Sequence, residues 1–475
     1  MKCDLILQNG RIVTAQDIYE GDILIRDGVI AAIAAPGGAH QAGRCVDLSG
    51  KYIFPGMIDP HVHIHAPFGG CIDAHDFYTA SQAAAFGGVT TIIDFSNTWK
   101  GSSVLESVKA RVEEMSQDCV VDFGVHAKFV QANERVLGEI KDIVAFGCPS
   151  IKMFTTYRKE GVMIEDEDIL AVMREAARWG GLPIFHAENN AICESNTARF
   201  AAQGKVSYER FAQARPNLAE EEAVSRVIFY AKYTGCPIHI FHLTSEEGLA
   251  AIERAQAVGI PVTTETCPHY LHFTRDQYRQ DDGYLYIMTP PLRDEKDRDA
   301  LWRGLARGSI CNVSSDNCTF STEVKTQKME RRGDGSLIPD FTKVMTGVTG
   351  LEERIYLLMA EGVAKGRITL NRLCEITSLN PAKTFGLFPQ KGIIQAGSDA
   401  DLMVIDPEAE KTLSADNLHQ RIDYSIYSGV KAKGVPVMTI RRGEILVENG
   451  QFKGGRGSGK FLARKPFGNS VQSFT

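Results

Sequence analysis

The chain has 475 residues, of which 44% are hydrophobic and 23% are charged, a composition typical of a globular enzyme with a large buried core. The net charge of −7 leaves no basic excess for binding nucleic acid, and no apolar run approaches the ~20 residues that a membrane helix needs. The N-terminus turns polar too soon for a secretory signal, and the 11 cysteines include no Cys-x-x-Cys pair. We therefore expect a cytoplasmic protein with reduced thiols and no nucleic-acid or membrane partner. The length predicts two or three domains, or one large barrel with an appendage.

Residues 1–54 alternate apolar and polar side chains, with turn signals between the segments. Asn9-Gly10 and Asp27-Gly28 predict hairpin turns, because Asn, Asp and Gly tolerate a positive φ. A similar pattern returns in residues 387–450, with apolar-rich segments at 401–406 and 437–447. Since a lone hairpin is marginal in water, we expect both chain ends to form one β-sandwich domain rather than two independent flaps.

Residues 55–386 alternate predicted strands with helical stretches such as 166–179 and 219–233. Eight strands, each followed by a crossover, are the pattern of a (β/α)8, or TIM, barrel. The candidate strands are 54–63, 90–95, 120–125, 150–154, 183–186, 238–242, 262–266 and 310–316. The expected fold class is therefore α/β, a TIM barrel with a β-sandwich. Residues 451–475 are Gly-rich in part and predict an extended C-terminal tail that lies on a neighbouring subunit.

Ligand-type side chains end five of the predicted strands. His61 and His63 lie one residue apart, so the alternation of a strand turns both imidazoles to one face, where they can bind one metal ion. An isolated His-x-His pair is more often structural. In a barrel, however, the carboxyl ends of the strands converge on one face. The other four strand ends carry Lys152, His186, His242 and Asp316. This repetition favours a metal site over packing.

Lys152 is the unusual member of this set, because an ammonium is repelled by a metal ion. A buried lysine near other positive charge loses its proton readily. The neutral amine can add carbon dioxide to give a carbamate, an anionic ligand with two oxygens that could bridge two metal ions about 3.5–4 Å apart. The alternative is a lysine that forms a salt bridge with the substrate.

Several of these motifs resemble those of the amidohydrolase superfamily and, more narrowly, its dihydropyrimidinase/hydantoinase group of cyclic amidases. The resemblance covers nearly the whole chain. The segments that carry it are Pro55-Gly56-Met57-Ile58-Asp59-Pro60-His61-Val62-His63, Ile151-Lys152-Met153-Phe154, His186-Ala187-Glu188-Asn189, His242-Leu243-Thr244, Ser315-Asp316, Thr266-Cys267-Pro268-His269-Tyr270-Leu271 and Arg464-Lys465-Pro466-Phe467-Gly468.

The resemblance implies two divalent metal ions, Zn in the first place with Mn as the alternative, at the mouth of the barrel. By the family pattern His61 and His63 hold one ion, His186 and His242 the other, and Lys152, as N6-carboxylysine, bridges them. Two ions lower the pKa of a bound water to about 7. Asp316 would bind the first ion, take the proton of the attacking water and pass it to the leaving ring nitrogen. The implied substrate is a cyclic ureide or imide, such as a dihydropyrimidine or a 5-substituted hydantoin, opened to an N-carbamoyl amino acid.

The substrate-binding positions match the family pattern less closely. Tyr157 matches a tyrosine that can donate its phenolic hydrogen to an oxyanion. Thr289 stands where family members usually have Ser, and Thr346 stands at the Asn of a Pro-Asn-Gly turn. Asn317 follows the metal Asp where the family prefers His. The resemblance also implies a homotetramer.

Two other functions compete with this interpretation. An allantoinase- or dihydroorotase-like enzyme would carry similar metal ligands and act on another ring. A non-enzymatic scaffold protein resembling dihydropyrimidinase would have lost ligands, whereas all six are present here.

Overall fold

The structure, a computed structural model, describes residues 2–38 and 40–468. Within these residues the strands are β1 (Lys2–Val13), β2 (Ile18–Arg26), β3 (Val29–Ala34), β4 (Gln41–Asp47), β5 (Tyr52–Pro55), β6 (Met57–Asp59), β7 (Pro67–Phe68), β8 (Cys71–Ile72), β9 (Val89–Phe95), β10 (Asp122–Lys128), β11 (Ser150–Phe154), β12 (Leu182–His186), β13 (Ile238–Ile240), β14 (Val262–Thr266), β15 (Asn312–Val313), β16 (Leu402–Thr412), β17 (Lys431–Arg441), β18 (Glu444–Glu448) and β19 (Gln451–Phe452).

The α-helices of the same residues are α1 (Phe77–Phe86), α2 (Val104–Asp118), α3 (Glu134–Ala145), α4 (Asp166–Trp179), α5 (Asn190–Ala202), α6 (Arg210–Ala214), α7 (Asn217–Thr234), α8 (Glu246–Ala257), α9 (Pro268–His272), α10 (Glu295–Arg307), α11 (Thr322–Thr326), α12 (Arg354–Leu357), α13 (Leu370–Cys374) and α14 (Asn380–Thr384). Short 3₁₀ segments lie at Arg275–Arg279, Gly283–Tyr286, Phe341–Lys343 and Ala415–Asn417, and π-helical turns at Leu358–Val363 and Glu375–Leu379. Across the described ranges, no helix combines the length and the apolar character needed to cross a membrane.

Eight parallel strands form a nearly closed barrel in the order β6-β9-β10-β11-β12-β13-β14-β15. A parallel bridge between Val62 and Asn317 brings the first and last strands together just beyond their carboxyl ends. β9 is buried at every position, as expected for a strand with the barrel interior on one face and helices on the other. The predicted TIM barrel is confirmed.

The two ends of the chain share a second sheet, in the order β19-β18-β17-β16-β5-β1-β2-β3, with β4 also paired to β1. Leu7, Ile23 and Ile53 from the first part pack in one core with Leu402 and Ile440 from the last. The predicted β domain built from both ends is therefore confirmed. The domain bounds at 54, 386 and 450 stay predictions.

One of the two predicted hairpin turns is wrong. Asp27 and Gly28 form the two-residue turn between β2 and β3, because Arg26 pairs directly with Val29. Asn9 and Gly10 instead lie inside β1, where the pairing register with β2 shifts between Leu7 and Gly10. A β-bulge absorbs the positive φ of Asn9, so the strand continues without reversing.

The described part of the C-terminal tail forms hydrogen bonds with the barrel of its own chain, and its expected contact with a neighbouring subunit stays a prediction. Phe123 exchanges backbone hydrogen bonds with the tail, donating to Lys460 and accepting from Leu462. Further along, Arg464 donates to Gly147 and Phe467 to Gly180. These acceptors lie at the amino ends of β10, β11 and β12, so the tail closes the barrel opposite its carboxyl face. Residues 469–475 lie outside the described residues.

A buried ion cluster joins the barrel to the second sheet. Lys391 Nζ lies 2.6 Å from Asp122, 2.7 Å from Asp401 and 3.0 Å from Asp399. Asp122 begins β10, whereas Asp401 precedes β16, so one ammonium holds carboxylates from both units. Burial alone would lower the pKa of Lys391, but the three carboxylates raise the pKa above its ordinary value.

We expect Lys391→Met to destabilise the protein by about 3–5 kcal/mol, because it leaves the buried Asp401 carboxylate without its counter-charge, whereas Asp122 keeps Arg442 at 3.0 Å. Chemical denaturation measures this change. The matched control is Lys109→Met. It removes an exposed ion pair between Lys109 and Glu106, whose charged atoms lie 2.8 Å apart, and should lower the free energy of unfolding by about 0.5 kcal/mol or less. Equal effects of the two substitutions would contradict a structural role for the cluster.

Candidate metal centre

A cavity of about 620 Å³ opens at the carboxyl ends of the barrel strands. Its lining includes all nine residues that the sequence singled out: His61, His63, Lys152, Tyr157, His186, His242, Thr289, Asp316 and Thr346. The structure therefore brings these side chains, which are separated by up to 285 positions in the sequence, to one space.

Asp316 lies between the first two histidines. Its Oδ1 is 3.0 Å from His61 Nε2 and 3.4 Å from His63 Nε2. The ligand atoms of His61, His242 and Asp316 all lie within 4.8 Å of one another. Burial by itself would raise the pKa of Asp316, but the neighbouring histidines hold the pKa of its carboxyl well below the ordinary range. Asp316 is therefore an ionised acceptor facing imidazole nitrogens.

Three of the cavity residues have a left-handed backbone, and two of them, His242 and Asp316, lie where the sequence predicted strands. His242 has φ 39°, Asp316 has φ 48° and Tyr157 has φ 68°. β13 accordingly ends at Ile240 and β15 at Val313, so the predicted strands 238–242 and 310–316 are too long. The first strand is also shorter than predicted, because β6 ends at Asp59 before Pro60. Left-handed backbone is costly for side chains larger than Gly, and its concentration here is typical of a functional site.

Lys152 is held in β11 among three aromatic rings. Its Nζ lies 4.3 Å from the ring centre of Phe241, 4.7 Å from that of Phe154 and 5.4 Å from that of Phe95. Among the described residues it makes no side-chain hydrogen bond or ion pair. Burial lowers the pKa of Lys152 to about 7, although Asp316 and Glu265 oppose the shift. Burial therefore favours the neutral, nucleophilic form of this amine.

His186 is oriented by a carboxylate. Its Nε2 lies 2.7 Å from Glu188 Oε2, and Glu188 also accepts two hydrogen bonds from Arg215, at 3.0 and 2.8 Å. A proton on Nε2 satisfies this bond and leaves the Nδ1 lone pair for a ligand. The His186 ring lies 4.5 Å from that of His242. Burial lowers the pKa of both imidazoles, which keeps them in the neutral form that metal ions require.

Supporting carboxylates were not identified by the sequence analysis. Glu265 Oε1 lies 2.6 Å from His61 Nδ1, and its Oε2 accepts a hydrogen bond from Asn312. Asp59 accepts from the backbone N–H of Ser315 at 3.1 Å and so ties the His61 loop to the Asp316 loop. Glu265 lies one position before the end of a predicted barrel strand, so the strand-end rule could have found it. Asp59 accepts a hydrogen bond from a backbone N–H, which every residue except proline can donate, so this contact has no sign in the sequence.

The three substrate-type residues, Tyr157, Thr289 and Thr346, line the same cavity, and the Tyr157 ring lies 5.3 Å from that of His186. The side chains of Tyr157 and Thr289 are hydrogen-bonded, and burial raises the pKa of the Tyr157 phenol, which therefore stays a donor. Thr346 precedes Gly347, whose φ of 146° favours glycine and whose N–H donates to Ile287. Asn317 is buried, and neither polar atom of its side chain has a hydrogen-bond partner in the described structure.

The donor set fits metal ions on the evidence of its own atoms. With a proton on His61 Nδ1, which faces Glu265 at 2.6 Å, the lone pair of His61 Nε2 faces the Asp316 oxygen 3.0 Å away, an arrangement that a cation would stabilise. His242 Nδ1 is buried without a hydrogen-bond partner in the described structure. Together with Asp316 they offer two nitrogens and an oxygen, a set that Zn²⁺ and Mn²⁺ accept. Fold and site thus define a TIM-barrel protein with a candidate metal centre at the carboxyl face of the barrel.

The chain belongs to the amidohydrolase family, whose family model matches residues 52–446. Within that family it belongs to the dihydropyrimidinase/hydantoinase group. It is 38% identical to a D-hydantoinase of Ralstonia pickettii over 98% of this chain and 99% of that protein. It is 35% identical to a D-phenylhydantoinase of Escherichia coli over 98% of each.

Solved structures give the same result. A dihydropyrimidinase of Brevibacillus agri superposes with a TM-score of 0.93 at 36% identity, covering 97% of this chain and 99% of that one. An L-hydantoinase of Arthrobacter aurescens superposes with a TM-score of 0.89 at 31% identity, covering 97% and 100%.

Proposed function

We propose that this protein hydrolyses a ring amide bond of dihydropyrimidines or 5-substituted hydantoins and releases N-carbamoyl amino acids. One observation carries the proposal: four histidines, Lys152 and Asp316 converge on the cavity at the carboxyl face of the barrel. The full-length kinship with proteins named as hydantoinases supports the choice of ring.

In this proposal His61 and His63 would hold one divalent ion, and His186 and His242 would hold a second. Lys152 would be carbamylated: its amine attacks the carbon of CO₂, the N–C bond forms as one C=O π bond opens, and the nitrogen loses a proton. The resulting carboxylate would serve as the shared ligand of the two ions. The ions are Zn²⁺, with Mn²⁺ as the alternative. When bound, they would supply a more acidic water and polarise the ring carbonyl.

The protein's own groups handle protons and orientation. Asp316 accepts the proton from the attacking water and returns it to the ring nitrogen as the C–N bond breaks, so the products differ from the substrate by one water. Tyr157 donates its phenolic hydrogen to the oxygen that gains charge. Thr289 and Thr346, which line the same cavity, would contact the ring amide.

A substrate panel tests the proposal. Purified protein loaded with Zn²⁺ or Mn²⁺ should open dihydrouracil or a 5-substituted hydantoin, with the N-carbamoyl product detected by chromatography. Allantoin and dihydroorotate serve as competing rings. Turnover confined to either of these two would replace the proposed substrate while keeping the family chemistry.

We expect Glu265→Gln to weaken metal binding by about 10- to 100-fold, the usual effect of removing the carboxylate that orients a ligating histidine. The amide keeps the shape of the side chain but lacks the charge that now lies 2.6 Å from His61 Nδ1. Chelator competition measures the affinity. Glu295→Gln, which changes an exposed carboxylate at the start of α10, is the control and should bind metal as the wild type does.

We further propose a cytoplasmic homotetramer. All 11 cysteines are free, as expected in a reducing compartment. Phe229 and Tyr233 on α7 are 73% and 71% exposed, which supports a subunit contact at this helix. Light scattering measures the assembly, and a monomeric mass at micromolar concentration would contradict it.

A further inference from the structure

The wall of the cavity next to the proposed metal centre contains a lysine that the proposed reaction does not use. Lys128 is the last residue of β10, and its Cα pairs in register with that of Lys152 on β11. Its side chain lines the cavity. In the described part of the chain it forms no side-chain hydrogen bond and no ion pair. Because Lys128 is half-buried at the cavity wall and has no counter-ion among the described residues, its ammonium can take an anionic group of a substrate as its partner.

The charged groups around Lys128 do not supply that anion. Asp94 also lines the cavity and attracts Lys128, but its Oδ2 is paired with Arg111, 2.5 Å away. Its buried Oδ1 has no hydrogen-bond partner in the described structure and forms no ion pair with Lys128. Arg111 repels Lys128 in turn. Glu160 lies on the loop after β11 and is exposed at the cavity mouth.

Two neighbours complete a subsite for a polar substituent. Trp99 places its ring 5.1 Å from Lys128 Nζ, which holds the ammonium against an aromatic face. The Asn97 side chain lines the same wall and, within the described residues, has no hydrogen-bond partner. The ammonium and the amide N–H₂ together provide donors for both oxygens of a carboxylate.

We propose that Lys128 selects substrates whose ring substituent ends in a carboxylate, with Asn97 as the second donor. This inference rests on the proposed function, because it assigns the substituent of the same ring. The substrate class is a hydantoin or dihydropyrimidine with a short acidic side chain, and the product is the N-carbamoyl derivative of an acidic amino acid.

The test compares matched pairs that differ only in charge, hydantoin-5-acetate with its amide and hydantoin-5-propionate with its amide, using both enantiomers of each. The wild type should show a higher kcat/KM for the acid of each pair. In Lys128→Met, which keeps the length of the side chain, the acid-to-amide ratio should fall by roughly 10- to 100-fold, the effect of losing a hydrogen bond between charged groups. Lys128→Arg should retain most of the ratio. The control Glu160→Gln removes a negative charge from the cavity mouth and should keep or increase the acid-to-amide ratio of kcat/KM.

A binding measurement separates this inference from the proposed function. Calorimetry with the Asp316→Asn protein, whose metal content is measured on the same preparation, gives the affinity for each acid and amide while the substitution slows turnover. Tighter binding of the acids that is lost on adding Lys128→Met supports the inference. This result would stand even if the wild type opened neither ring and the proposed function failed. If the ratio of the affinities for acid and amide is the same in the protein with Lys128 and in the Lys128→Met variant, the inference is overturned, even if both rings are opened.

Discussion

Asp316→Asn should lower kcat by about 10²- to 10⁴-fold, the range that general acid–base catalysis contributes. The substitution keeps the shape of the side chain but removes the ionised oxygen that lies 3.0 Å from His61 and 3.4 Å from His63. Steady-state kinetics on the best substrate of the panel measures the loss.

Metal analysis of the same variant distinguishes the two proposed roles of Asp316, proton transfer and metal ligation. Two ions retained with a low kcat would assign the loss to proton transfer, whereas one ion lost would assign it to ligation. Asp299→Asn, on the exposed surface of α10, is the control for handling and should retain full activity. Near-wild-type kcat in the Asp316 variant would remove this residue from the mechanism.

Lys152→Ala should lose the paired metal ions and lower kcat/KM by roughly 10³-fold or more, since metal catalysis supplies several kcal/mol of transition-state stabilisation. The physical reason is the loss of the only buried amine that contacts three rings and, in the described structure, has no hydrogen-bond partner. Metal content and activity are measured on the same preparation. Two ions per chain in the Ala variant would overturn the bridging role.

Carbon-13 NMR in labelled bicarbonate tests the carbamate directly. The wild type should show a carbamate resonance that is absent from Lys152→Ala. Lys325 provides an internal control, because burial lowers its pKa to about 7 as well. Its Nζ, however, donates to the carbonyls of Gly347 and Ile287, at 2.6 and 3.3 Å. A carbamate resonance that survives in Lys152→Ala would place the modification elsewhere.

Periodicity made most of the barrel predictable. α4 begins and ends where the pattern predicts, at Asp166 and Trp179, because its apolar positions follow a helical period. Strands such as β9 and β11 were found because parallel strands buried on both faces are short continuous apolar runs. The strand ends at His242 and Asp316 were missed, because a left-handed backbone in a non-Gly residue is imposed by tertiary contacts and has no local sequence signal.

The C-terminal tail and the bulge at Asn9 show the same limit. Gly-rich composition indicates an extended segment but carries no information about which surface accepts its hydrogen bonds. The Asn9-Gly10 pair tolerates a positive φ both in a hairpin and in a bulge, and the pairing partner decides between them.

By itself the sequence determined the α/β class, the β domain shared by the two chain ends and the ligand-type residues at five strand ends, since hydrophobic period and residue chemistry are local properties. The tertiary structure alone decided that Glu265 and Glu188 orient His61 and His186, that Lys152 is buried without a hydrogen-bond partner in the described structure, and that Lys128 faces the same cavity. The position of a proton and the free energy of burying a charge depend on which groups lie within a few ångströms. Those distances are set by packing between segments that are far apart in the chain.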